Sequence, residues 1–401
     1  MSQPRVAVIG AGPAGSTAAR LLAERGADVT LFEARRLPRP KLCGGGLTPK
    51  AQRLVPREAL EVVERRVERV ELRAPHLGSF RIEAPAATIA MVERTRFDLT
   101  LVEAAARAGA EVRDATPVLD IVEDETGVAI RTAGGRFAAD VAVVADGEPS
   151  ALSRRLGLGG TPHRLALALE VDLPFSSVVA PETAVLAFGL RGGYGWYFPK
   201  GDHANVGVGS YRASEHRRLR GDLARFARDL GLDPSAGHVR GHWIPQGLRT
   251  GPLASDRVVL AGDAAATADA LFGEGISYAL LSGVAAAQVI GDWADGAIGS
   301  LQDHDRRLRG VLGPALDRLG AIALVAEGSI SVALLGVRLS HTVRERAIDA
   351  IAGRSAPFAI DGRCELACAC GLHAAELAPR ALFVEPAGCD RCAWCLAACA
   401  A

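Results

Sequence analysis

The stretch from Arg5 to Glu33 constrains the fold more than any other part of the chain. Arg5–Gly10 (RVAVIG) is a short apolar run of the kind that forms a strand buried in a parallel sheet. It runs directly into Gly10-Ala-Gly12-Pro-Ala14-Gly15, after which residues 16–25 read as a helix that Gly26 ends. Asp28–Phe32 reads as a second strand and closes on Glu33. A G-x-G-x-x-G turn alone is a weak signal, but between these elements it marks a βαβ unit that binds a dinucleotide. The glycines permit a tight turn and close approach of the backbone to a pyrophosphate. The helix start offers free N–H groups to the anion, and Glu33 can accept hydrogen bonds from a ribose.

Two later strand–turn clusters select the kind of dinucleotide. Val141–Val144 leads into Ala145-Asp146-Gly147, and Arg257–Ala261 leads into Gly262-Asp263, with Gly273-Glu274-Gly275-Ile276 at the start of a further helix. A ribityl chain carries hydroxyls that need a fixed carboxylate such as Asp263. A flavin ring that gains negative charge on reduction is stabilised by a helix N-terminus. Both features favour a flavin over a nicotinamide.

This set of motifs resembles the large flavoprotein family that includes aromatic hydroxylases and prenyl reductases, and two further motifs narrow it. Lys41-Leu42-Cys43-Gly44-Gly45-Gly46-Leu47 resembles the loop that geranylgeranyl reductases place beside the isoalloxazine. Tyr194-Gly-Trp196-Tyr-Phe198-Pro199, followed after seven residues by Gly207-Val208-Gly209, is similar to that family's aromatic substrate signature. The resemblance spans about 350 residues of the chain. It implies a reductase that saturates carbon–carbon double bonds of isoprenoid chains. It also implies that Arg94, Ala34 and Val118 lie beside the cofactor, and that Cys43, Tyr194 and Trp196 serve the reaction. Alternating positions on a strand point to one face, so Tyr194, Trp196 and Phe198 can line a tunnel for an apolar chain; plain core packing of the same rings is the alternative. Cys43 and Tyr194 are candidate proton donors, on a par with bound water.

The expected fold class is α/β: a Rossmann-like FAD-binding domain with an inserted antiparallel-sheet substrate domain, a C-terminal helical region and a small Cys-rich tail. The expected division gives residues 1–65, 98–160 and 251–300 to FAD binding, and 66–97 and 161–250 to the substrate domain. Residues 301–355 follow as a helical region, and 356–401 as a ferredoxin-like module. Strand-like patterns at Val67–Arg73, Leu165–Val171, Thr183–Leu190 and Ala204–Gly209 supply the inserted sheet. Basic and acidic residues balance at 46 each, so no overall field draws the chain to nucleic acid. The expected partners are an isoprenoid small-molecule or lipid substrate and an external electron donor.

Cysteine usage sets the tail apart. Cys43 stands alone, whereas Cys364, Cys368, Cys370, Cys389, Cys392, Cys395 and Cys399 crowd into the end of the chain. No secretory leader precedes them, which favours a cytoplasmic protein with metal-binding thiols over a disulfide scaffold. Cys389-x2-Cys392-x2-Cys395-x3-Cys399 has the spacing of a bacterial ferredoxin half-motif, and Cys364-x2-Ala367-x2-Cys370-x3-Ala374 repeats the frame in worn form. An iron–sulfur cluster is expected, with zinc or a metal-free remnant as alternatives. Leu319–Val337 is apolar apart from Glu327 and reads as a packed helix, with peripheral membrane contact as the other reading. Two other functions stay open on the sequence: electron transfer to a membrane quinone, and a monooxygenase or halogenase on the same fold.

Overall fold

The computed structural model describes residues 3–75, 77–83 and 88–352. Its organising element is a five-stranded sheet in the order Val258–Leu260, Val141–Val144, Arg5–Ile9, Asp28–Phe32, Glu111–Arg113, with every pairing parallel. Val141–Val144 and Val258–Leu260 are buried throughout, as near-continuous aliphatic runs in a doubly covered sheet must be. The Pro13–Glu24 helix begins three residues earlier than its periodicity suggests, because Pro13 presets the helical φ at its first turn.

That helix packs on the Ile276–Ala294 helix, whose first sixteen residues are all buried. The two approach so closely that a Cβ on Gly283 would lie 2.3 Å from the Ala14 carbonyl oxygen. The contact therefore depends on small residues along both helices, and the alanine richness of the chain serves it.

The second large element is a seven-stranded sheet in the order Arg240–Arg249, Pro162–Leu173, Ala204–Ser210, Gly193–Pro199, Thr183–Phe188, Arg69–Ala74, Gly78–Glu83. It is mixed rather than purely antiparallel, since Thr183–Phe188 runs parallel to Arg69–Ala74. The two strands come from separate excursions out of the nucleotide-binding part, so no hairpin constrains their relative direction. The Leu219–Asp229 helix covers one face with Leu219, Leu223 and Phe226, against Tyr197 and Val206.

Cross-strand register writes a gradient across the other face. One row runs Phe80, Leu72, Leu186, Trp196, Gly207, Glu170, Arg240. It begins aliphatic, becomes aromatic, passes a glycine and ends in charge. A 37-residue helix, Asp303–Leu339, and a second, His341–Ala352, close the described chain over the aliphatic end, where Leu334 packs with Leu72 and Ala74. None of the helices among the described residues is long and apolar enough to cross a membrane.

Arg249 joins the two sheets. It is 5% exposed and donates to the Ala264 carbonyl at 2.6 Å, to the Gly160 carbonyl at 3.3 Å and to the Glu148 carboxylate.

Candidate functional site

The first glycine turn is packed too tightly for any side chain. A Cβ on Gly10 would lie 2.2 Å from the Ala145 carbonyl oxygen, and one on Gly15 would lie 1.9 Å from that of Gly10. Gly12 differs: only the tip of Arg39 comes within 4 Å of its Cβ position, so it opens onto a cavity. The helix behind it has no side-chain cap, which leaves its first N–H groups directed at that space. The Ile276–Ala294 helix begins at Gly275, likewise uncapped, and borders the same cavity. Two bare helix N-termini thus face one volume of about 1450 Å³.

Of the described residues expected at a cofactor or substrate, all but Gly15 and Pro199 line this one cavity. Gly15 serves the close packing just described. Pro199 shares strand parity with Tyr197, and so belongs to the face covered by the Leu219–Asp229 helix. The seven tail cysteines lie outside the described residues. Among the described residues, no three metal-ligating side chains gather in one place.

Glu33 accepts from the Ala11 N–H at 3.2 Å, the Arg35 N–H at 3.0 Å and the Arg39 Nε at 2.9 Å. Arg39 also reaches the buried Asp98 at 2.8 Å, and Asp98 forms a two-point pair with Arg94 at 2.7 and 3.0 Å. Sequence reasoning missed both Arg39 and Asp98, because neither sits in a spaced motif. Arg94 is itself buried; burial opposes its charge, but Asp98 and then Cys43 hold it firmly protonated. Cys43 therefore has two donors near its sulfur, the Arg94 guanidinium and the Gly45 N–H at 3.4 Å.

Across the cavity, Asp146 is pushed up to about 6 by burial, with Ser150 opposing, and its Oδ1 is buried without a partner. An orphaned carboxylate oxygen and an open Gly12 are what a chain of ligand hydroxyls and a pyrophosphate would complete. The residues present fit FAD. A clasp behind the Ile276 helix start, also unforeseen, ties the cysteine loop in place: Thr48 donates to Glu274 at 2.7 Å and Lys50 pairs with the same carboxylate.

The aromatic motif resolves into hairpin geometry. Tyr194 pairs with Gly209 and Trp196 with Gly207 on the neighbouring antiparallel strand, so the seven-residue spacing sets rings over glycines. Phe198 faces Gly44 of the cysteine loop, where a Cβ would lie 2.5 Å from the ring. The Tyr194 hydroxyl donates to the Phe272 carbonyl, and burial pushes its phenol well above the ordinary value. The Trp196 Nε1 donates to Asn205 at 2.8 Å.

A parallel sheet whose glycine turn and two bare helix starts open on one such groove has the features of an FAD-dependent oxidoreductase. The FAD binding domain model matches residues 3–218, more than half of the chain. A menaquinone reductase of Mycolicibacterium smegmatis is 33% identical over 75% of this chain and 81% of its own. A digeranylgeranylglycerophospholipid reductase of Methanocella arvoryzae is 30% identical over 79% and 86%. A solved geranylgeranyl bacteriochlorophyll reductase-like protein of Thermoplasma acidophilum superposes with a TM-score of 0.73, at 25% identity, over 87% of this chain and 96% of its own. The chain belongs to the geranylgeranyl reductase family of FAD-dependent oxidoreductases.

Proposed function

We propose that this protein saturates carbon–carbon double bonds in the isoprenoid chain of a lipid, a prenyl diphosphate or a prenylated quinone. The observation that carries the reading is the continuity of the cavity. From the two helix N-termini it runs past Cys43 and Trp196 into an arm walled by Val70, Leu72, Ile82 and Leu186. A wall of aliphatic and aromatic side chains suits a long hydrocarbon better than a compact polar substrate.

Bound FAD, once reduced, would supply a hydride. The chain's own residues do the rest. Gly10, Gly12 and Ala14 would seat the pyrophosphate, while Asp146, Gly262 and Asp263 border the middle of the groove. Trp196, Tyr194 and Phe198 hold the alkene against Cys43 and exclude water. An isolated alkene offers no polar handle, so positioning and a proton at the right carbon are what the protein must contribute. Cys43, with the Gly45 N–H and the Arg94 guanidinium beside its sulfur, is the proton source this geometry favours. The Tyr194 hydroxyl is already engaged as a hydrogen-bond donor to the Phe272 carbonyl.

Two finer readings belong here. Ile322 and Val343 line the cavity yet are 50% and 41% exposed, and Leu324 and Leu339 beside them are also exposed. This supports entry of substrate from a membrane surface. The tail spacing supports an iron–sulfur cluster as the electron source.

The test is direct. The FAD-loaded protein, reduced under anaerobic conditions, is given geranylgeranyl diphosphate or menaquinone, and the product is weighed by mass spectrometry. Mass gains in steps of two hydrogens support the proposal. An unaltered chain with both substrates rejects it.

A further inference from the structure

Beneath the cysteine loop lies a set of titratable groups that neither the motifs nor the cavity lining accounts for. Glu170 sits in the long Pro162–Leu173 strand and is 2% exposed. Its Oε1 accepts the Cys43 N–H at 3.1 Å, and its Oε2 is buried with no partner. Gly207 stands opposite it and has no side chain, so nothing on that strand comes between the carboxyl and the edge of Trp196.

Lys200, whose charge acts on Glu170 and whose Nζ lies beside Gly45 of the cysteine loop, starts a file of polar groups that leads outward. Lys200, 3% exposed, ends the aromatic strand, and its Nζ lies 2.7 Å from Glu93 Oε1. His203 Nε2 reaches the same oxygen at 3.3 Å, and its Nδ1 pairs with Asp202 at 2.9 Å. The Asp202 side chain is 98% exposed, so the file ends in solvent.

We propose that Glu170 holds the proton that restores Cys43 after each reduction, and that Lys200, Glu93 and His203 refill it from solvent. The proposal rests on the isoprenoid reading for its substrate, not for its proton path. As the cofactor's hydride and its two electrons reach one alkene carbon, the Cys43 S–H bond breaks and a C–H bond forms at the other. The Glu170 O–H bond then breaks and the thiol re-forms. The carboxylate takes its next proton along the file, so the chain returns to its starting state having consumed one proton from water. Glu170 acts through Cys43 and is a positioning and proton-holding residue.

The surroundings suit that role. Burial pushes the Glu170 carboxyl up to about 6; Lys200 opposes it, and Asp172 on its own strand adds to it. Arg240, on the facing edge strand, lowers it and is itself paired with Asp172. The Cys43 N–H also lowers it. The group is thus protonated in mildly acidic solution, whereas an exposed glutamate is not.

The test compares the FAD-loaded wild type with Glu170→Gln and His203→Ala. Infrared difference spectra over a pH titration need no substrate: a buried carboxyl should titrate near pH 6 in the wild type and be missing from Glu170→Gln. Stopped-flow reoxidation of the reduced enzyme by geranylgeranyl diphosphate should slow by about 10²-fold or more in Glu170→Gln and lose its decline toward alkaline pH. Reduction by dithionite should be unchanged, which a merely misfolded variant would not show. His203→Ala should slow multiple turnovers more than the first. A Glu170→Gln enzyme with wild-type rates and pH profile, or a wild type with no carboxyl titrating there, overturns the proposal. If the carboxyl titrates as expected while the wild type leaves the prenyl chain unreduced, the substrate reading fails and the proton store stands.

Discussion

Trp196 lies flat over Gly207: a Cβ at that glycine would stand 2.0 Å from the indole. The two residues occupy paired positions on adjacent strands, so the ring fills the space its neighbour leaves vacant. Gly207→Ala should therefore push the indole into the cavity. We expect a loss of about 1–3 kcal/mol in denaturant unfolding, typical of overpacking, with FAD retained and long-chain substrate turnover reduced. Unchanged stability would mean the ring moves aside at no cost.

Trp196 also fixes the polar side of the wall through Asn205, which in turn donates to Asp172 at 2.9 Å. Trp196→Phe leaves the Asn205 oxygen buried without its donor and should destabilise by about 1–3 kcal/mol. Trp196→Ala should keep the flavin spectrum yet abolish reduction of long prenyl chains. Loss of flavin instead would move Trp196 into the cofactor shell.

Arg39 is the sole link between the Glu33 and Asp98 side chains among the described residues. Arg39→Met leaves the buried Glu33 carboxylate without its cation, while Asp98 keeps Arg94, and removing one partner of such a pair costs about 3–5 kcal/mol. FAD retention on a desalting column and thermal unfolding together check this. A variant as stable as the wild type would show that water replaces the guanidinium.

The pH dependence of stability carries a signature of His203. Its hydrogen bond to Glu93 raises it to about 9 against the burial that lowers it, so its contribution is complete below about 6.5 and lost as pH rises through 9. Glu93 is pulled the other way: burial would raise it, but His203 and Lys200 hold it at about 2. Its contribution is present above about 4.5 and lost as pH falls through 2. The stability difference between wild type and His203→Ala should accordingly shrink between pH 7 and 10. A constant difference contradicts the ion pair.

The tail prediction concerns composition. Anaerobically purified full-length protein should contain iron and acid-labile sulfide, and a version ending at residue 352 should contain neither while still binding FAD. Stoichiometric zinc without sulfide would end the electron-relay reading.

Much of this architecture is legible in the amino-acid sequence because it is local. The glycine turn, the strand that precedes it and Glu33 lie within one βαβ unit, and the fold places them as the motif requires. The aromatic signature is legible as a spacing, although its meaning as a hairpin register needs the pairing of Tyr194 with Gly209. Glu170, Arg39, Asp98 and the Thr48–Glu274 clasp are not legible. The Arg94–Asp98 and Arg39–Glu33 pairs are local, but the Arg39–Asp98 link, the Glu170 contact with Cys43 and the Thr48–Glu274 clasp join segments from about 50 to more than 200 residues apart, and a lone glutamate in a strand looks like any other. The parallel pairing of Thr183–Phe188 with Arg69–Ala74 escapes for a related reason, since alternation reports which face a residue takes and says nothing of strand direction.

Arg249 has a consequence for how the enzyme breathes. Anchored at once to Glu148, Ala264 and Gly160, it acts as a rivet between the nucleotide-binding module and the wide sheet. Jaw-like parting of those two bodies would break a buried charged pair and two further hydrogen bonds, which disfavours that route for ligand traffic. The helical cover at the aliphatic end meets the wide sheet through hydrocarbon contacts such as Leu334 on Leu72 and Ala74, with two hydrogen bonds from Arg164 and Arg338. Turnover in this chain should therefore be paced by a soft lid on a stiff frame.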